Sequence, residues 1–198
     1  VKKTIVVARY AEPLDWLARV PEDWQIEIVN KGEILAPFPL EALSARTYWT
    51  MAENVGREGG TFLRAIERAR AEGGDPDDLF AFLQGKPEDH VPEAPELLAI
   101  EPNGDFRELG RTFLCDAKGM PHHWEPLPLA ESFEFVFERK APERFRFIVG
   151  AQFLARRSLL AVISEAELRR ATMLTEETPA GPWVMERLWM YLLRCDER

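Results

Sequence analysis

Three strand-like runs alternate with helical punctuation over the first 84 residues, and this alternation narrows the fold more than any other feature of the chain. KKTIVVARY (2–10) is unbroken and rich in β-branched residues, the mark of a strand buried on both faces. WQIEIVNKG (24–32) sets Trp24, Ile26 and Ile28 against Gln25, Glu27 and Val29, and DLFAFLQG (78–85) is a third apolar run. Between the first two, Glu12-Pro13 opens a short helix through Leu14 and Leu17, since proline is tolerated in a first turn. NVGREGGTFLRAIERARAEGG (54–74) predicts a long helix, with Asn54 as N-cap, Phe62, Leu63, Ile66 and Ala69 on one face, and Gly73-Gly74 as the stop. Residues 33 to 53 carry no pattern that fixes an element. Strands alternating with helices predict an α/β sheet with mostly parallel strands.

The second half is less regular. Residues 87 to 130 hold seven of the fifteen prolines and predict a long irregular segment, with a short helix near Leu97. A segment of that length inside a compact domain is usually functional or mobile. SFEFVFERK (132–140) and RFRFIVGAQF (144–153) alternate like strands, and Lys140 to Glu143, with Pro142, would join them as a hairpin. Ser164 and Glu167 stand at capping-box spacing, and GPWVMERLWMYLL (181–193) closes the chain as a helix with proline in its first turn. The expectation is a single α/β domain over residues 1–198, its central mixed, mostly parallel sheet flanked by helices in a Rossmann-like arrangement.

Composition excludes some classes of function. The net charge of −9 disfavours a broad phosphate-backbone surface, and so a nucleic-acid partner, but leaves room for one locally basic pocket. No apolar run approaches the roughly 18 residues of a membrane helix. Lys2 and Lys3 precede an apolar run that is strand-sized and ends at Arg9, which argues against a signal peptide. Cys115 and Cys195 have no metal-site spacing and need not pair, so a reducing cytoplasm is the simpler setting.

Open α/β sheets bind ligands beyond the carboxyl ends of their strands. Those ends deliver Arg9, Tyr10 and Glu12, then Asn30 and Lys31, then Gln84 with Asp89 and His90 just beyond, and later Gln152. Asn54 and Arg57 sit at a helix start, where free N–H groups and the helix dipole favour an anion and a guanidinium fork suits phosphate. Asp89 and His90 are candidate ligands for Mg²⁺ or Mn²⁺. The adjacent His122 and His123 are a second possible metal pair or plain loop residues. Glu186 draws attention because, of residues 183 to 193, it and Arg187 alone are neither apolar nor aromatic. A carboxylate on a helix apolar all round must be paired or shifted in pKa. It is therefore either a structural ion-pair partner, with Arg156, Arg157 or an arginine of the first strand, or a general base.

Taken together, VVARYAEPLDWL, IVNKG, NVGREGGTFLRAI, FLQGKPEDH, VGAQFLARR and WVMERLWMYLL resemble the successive blocks of a bacterial and fungal domain family of unknown function. That family in turn looks like a compact GT-A nucleotide-sugar glycosyltransferase. The resemblance implies a nucleoside-diphosphate sugar as donor, a hydroxyl or glycan as acceptor, and Mn²⁺ or Mg²⁺ as cofactor. It places the donor near Arg9 to Glu12, the metal near Asp89 and His90, and the catalytic carboxylate at Glu186 or Asp89. The usual Asp-x-Asp is absent; Lys86 stands where relatives often carry an acid, and Ala11 replaces the usual asparagine. The alternatives are a metal-dependent hydrolase built on Asp89, His90, His122 and His123, and a non-catalytic protein that binds a nucleotide sugar or glycan.

Overall fold

The computed structural model describes residues 1–33 and 46–196, and these form an α/β fold around a six-stranded sheet. The strands are β1 (Lys3–Arg9), β2 (Trp24–Asn30), β3 (Thr47–Met51), β4 (Leu79–Gln84), β5 (Phe106–Glu108), β6 (Thr112–Asp116), β7 (Arg144–Ile148) and β8 (Phe153–Arg156). The helices are α1 (Arg57–Glu72), α2 (Ala94–Leu97), α3 (Leu129–Phe137), α4 (Arg157–Ala161), α5 (Glu165–Glu177) and α6 (Gly181–Leu192). The main sheet runs β3-β2-β1-β4-β8-β5. Its first four strands are parallel, as the strand–helix alternation predicts, while β8 lies antiparallel between β4 and β5. β6 and β7 form a separate antiparallel pair.

The pleat divides the core. Val6, Phe82 and Phe153 meet Phe62, Leu63 and Ile66 of α1 and Trp189 of α6 on one face. Ile5, Val7, Ile28 and Leu83 meet Trp16, Leu17 and Trp24 on the other. Burial on both faces is why β1 and β4 read as continuous apolar runs. The Ser164–Glu167 capping box forms as its spacing predicts, with Ser164 Oγ accepting from the Glu167 N–H and the Glu167 carboxylate accepting from the Ser164 N–H. The short helix near Leu97 and the closing helix, with Pro182 in its first turn, are also present.

Four expectations are corrected. SFEFVFERK is not a strand: residues 129–137 are α3, because Leu129, Phe133, Val136 and Phe137 follow a helical stripe while Phe135 is left exposed. The alternation of three phenylalanines imitates a strand period. The hairpin accordingly does not form; β7 pairs with β6, and a turn at Val149–Ala151 breaks RFRFIVGAQF into β7 and β8, which serve different sheets. Asn54 does not cap α1, since Gly56 in the left-handed region (φ 68°) takes that place and the helix begins at Arg57. The segment after Pro13 is a single 3-10 turn, Asp15–Arg19. Within 33 to 53, β3 forms the exposed edge of the sheet, and 34–45 lies outside the described residues.

Candidate active site at the carboxyl ends of the parallel strands

From β1, the chain steps to β2 and β3 on one side and to β4 on the other, so the order reverses between β1 and β4. Such a reversal opens a crevice at the strand ends. Gly85 follows the end of β4 there. A methyl group on it would come within 2.5 Å of Glu12 Oε2, so a larger residue would displace the Glu12 carboxylate. The Glu12 carboxylate itself accepts the N–H groups of Tyr10 (2.7 Å) and Ala11 (3.0 Å), and the Trp16 indole N–H donates to the Gly85 carbonyl at 2.8 Å.

Arg9 and Asn30 are buried beneath this rim. The Arg9 guanidinium donates to Glu12 O (2.9 Å), Tyr10 O (3.3 Å), Asn30 Oδ1 (2.6 Å) and Glu33 O (3.3 Å), and lies over the Trp49 ring. Asn30 returns its amide N–H to Gly32 O at 2.7 Å. These two residues brace the loops that surround the crevice, and burial lowers the Arg9 pKa from its ordinary value. Tyr10 is exposed on the rim and Gln84 half-buried within it.

Lys31 crosses to the start of α1, where its ammonium donates to the carbonyls of Val55 and Arg57, each at 2.5 Å. An ammonium has three N–H groups, so among the described residues two are taken and one is left over. Burial is the main cause of a Lys31 pKa lowered to about 8, with Glu176 and Glu58 opposing the shift. Arg57 is exposed, stacks over the Trp183 ring with its guanidinium carbon 5.2 Å from the centroid, and approaches Glu58 at 3.6 Å. Its φ of 47° follows the left-handed Gly56, so the helix entrance is held in a conformation that a non-glycine residue rarely adopts. Asn54 lies exposed just outside.

The late carboxylate arrives from α6. Glu186 Oε1 accepts the Gly150 N–H at 2.8 Å and Oε2 accepts from Arg187. Gly150 must be glycine: its φ is 75°, and a methyl group would come within 2.6 Å of His90 Cδ2. His90 therefore packs against the turn whose amide holds Glu186. Gln152, fully buried, donates to Pro87 O at 3.1 Å and ties the same turn to the segment after β4. Arg187, rather than Arg156 or Arg157, is the partner of Glu186; its guanidinium also donates to the carbonyls of Trp183 and His122 at 3.0 Å each and covers the Phe147 ring at 4.6 Å.

Glu58, next to Arg57 in the first turn of α1, joins the site without having been among the candidate residues. α1 packs on α6 where Gly59 faces Met185 and on α5 where it faces Thr175, and Glu58 lies within reach of the Glu186 charge. Burial raises the Glu58 pKa, and the Glu186 charge adds to the rise. The signal available in the sequence was Gly59-Gly60, a pair of small residues that lets another helix approach the first turn of α1.

Asp89 pairs with Lys86 at 2.6 Å, both exposed. His122 stacks on Phe113, whereas His123 stacks on Trp124, so the tandem histidines turn to different neighbours. Among the described residues no group of three or more His, Cys, Asp or Glu could hold a metal ion. Asp89 and His90 would offer one carboxylate and one imidazole at most, of which only the carboxylate suits Mg²⁺, a hard ion that takes oxygen donors. Both cysteines are buried.

A Rossmann-like α/β sheet with a strand-end crevice is the class that fold and rim define. No protein-family model matches the chain, and no curated protein matches it. No helix among the described residues is long and apolar enough to cross a membrane.

Proposed function

We propose that this protein is a nucleotide-sugar-dependent glycosyltransferase that moves a sugar from a nucleoside diphosphate to a hydroxyl acceptor. The observation that carries the reading is the convergence, beside one strand-end crevice, of two cations, Lys31 and Arg57, and two carboxylates, Glu58 and Glu186. The resemblance of the sequence blocks to a GT-A-like family points the same way. In this reaction the acceptor oxygen forms a bond to the anomeric carbon, the bond to the diphosphate breaks, and the diphosphate leaves with the electron pair. The acceptor proton goes to a carboxylate.

Glu58 suits the proton better than Glu186 does. Both Glu186 oxygens are held by strong donors, while Glu58 meets its own backbone N–H, the Lys31 charge and the looser 3.6 Å contact with Arg57. A desolvated carboxylate with elevated proton affinity is the usual form of a general base. Burial holds that affinity up, and the Glu186 charge adds to it against the opposing charges of Arg57 and Lys31. Lys31 and Arg57 meet the diphosphate, as donors aimed at developing charge. Asp89 and His90 would hold Mg²⁺ or Mn²⁺ against it, and the ion would supply further positive charge to the leaving group. The exposed Lys86–Asp89 pair must open for this.

A nucleotide-sugar panel read by thermal shift, with and without Mn²⁺ or Mg²⁺, tests the proposal. A donor at 100 times its Kd stabilises the native state by about 2.7 kcal/mol. Arg57→Ala is expected to abolish the shift and leave the unliganded melting temperature little changed, because Arg57 is exposed. The shift is also expected to shrink as pH rises through about 8, where Lys31 gives up its proton, and Lys31→Met should remove that pH dependence. A flat response to UDP, GDP and TDP sugars, together with hydrolysis of simple esters or phosphates, would instead favour the hydrolase.

A further inference from the structure

A second recognition element stands next to the carboxylates. Trp124 is 76% exposed, yet the loop that carries it is held in place. Asp116 Oδ1 accepts the N–H groups of Lys118 (2.8 Å) and Met120 (3.0 Å), Leu127 N–H donates to Lys118 O at 2.9 Å, and Arg187 fastens the His122 carbonyl. Trp124 stacks on His123 at 4.7 Å and meets Trp183 edge-on at 6.3 Å. The buried Nε2 of His123 has no hydrogen-bond partner among the described residues, so the aromatic wall carries an unused polar atom. Trp183 lies one helical turn before Glu186, and Arg57 joins the Trp183 ring to Glu58.

We propose that Trp124, with Trp183 and His123, is the platform for the acceptor, and that the acceptor moiety bound there is a neutral pyranose ring. The inference rests on the transferase reading above. A flat indole face matches the apolar C–H face of a pyranose, whose hydroxyls stay at the edge and in water. One cation, Arg57, already covers Trp183, and no second cation stands beside Trp124 among its described contacts, so the surface suits an uncharged ring. Preorganisation of the loop reduces the ordering cost that weak sugar ligands otherwise incur.

Saturation-transfer NMR on the full chain, with neutral glucose-, galactose- and N-acetylglucosamine-based di- and trisaccharides and no donor present, reads this directly. At least one sugar is expected to receive saturation, strongest on the C–H protons of one ring face. The signal should be lost in Trp124→Ala and kept in Trp124→Phe, which preserves a flat ring. Failure of every sugar to respond overturns the platform, as does a response unchanged by Trp124→Ala. Uridine or guanosine responding in place of sugars, with the same Trp124 dependence, also overturns it and assigns the wall to the donor base. The two readings fail separately: sugar contacts without any donor shift would sink the transferase reading and leave the platform, and a donor shift without sugar contacts would do the reverse.

Discussion

Glu186→Gln should lower the melting temperature by about 6–12 °C. The variant keeps the shape of the side chain and the bond from Gly150, but it removes the charge opposite Arg187, whose side chain is 3% exposed. Breaking a buried ion pair by neutralising one partner costs about 3–5 kcal/mol. Glu186 keeps some contact with solvent, so the lower end applies, and for a chain of this size each kcal/mol moves the midpoint by about 2–4 °C. Replacing both residues, as in Glu186→Gln with Arg187→Met, should recover much of the loss because no unpaired charge remains. Differential scanning calorimetry of the three proteins checks this. A normal melting temperature for Glu186→Gln with transfer abolished would make Glu186 itself the base and remove Glu58 from that role.

The second large effect belongs to Glu58→Gln. Donor binding and folding should survive, and the transfer rate should fall by roughly 10² to 10⁴, the range for loss of a general base. Its stability effect has the opposite sign to that of Glu186. Because burial raises the Glu58 pKa, the folded chain binds this proton more tightly than the unfolded chain, and wild type loses stability as pH rises from the ordinary value of 4.5 through the folded pKa. The glutamine variant lacks that loss, so it should be at least as stable as wild type at neutral pH, with the difference narrowing below 4.5. Urea titrations across that window, paired with rates, separate a base from a brace. A rate within threefold of wild type would end the assignment of Glu58.

Much of this was legible in the residues. The parallel core was readable because β1, β2 and β4 are continuous or alternating apolar runs, and α6 because its apolar circumference admits one carboxylate–arginine pair. β3 was not, since TYWTM is a short edge strand whose side chains are largely exposed and whose pattern no core dictates. α3 was misread because Phe133, Phe135 and Phe137 satisfy two periods at once, and only the surroundings decide which faces count. At the rim, residue types were a better guide than roles. Arg9 and Asn30 look like ligand-binding groups, but a strand-end arginine can equally be consumed by the carbonyls of the loops it anchors. Glu58 went unnoticed because its environment is created by a helix 128 positions away in the chain.

Gly150 and Ala151 join the two sheets. Two successive residues with positive φ, 75° and 52°, let one stretch of chain leave the β6–β7 pair and enter the main sheet as β8. The amide that holds Glu186 is therefore not on a loop that can open by itself; short of rotation of the Glu186 side chain, freeing it requires a strand to leave at least one sheet. Local openings that expose most rim amides should leave this one protected. Hydrogen exchange at Gly150 should then proceed at a rate set by the global unfolding free energy, and it should accelerate in Glu186→Gln by the same factor as the core amides of β4.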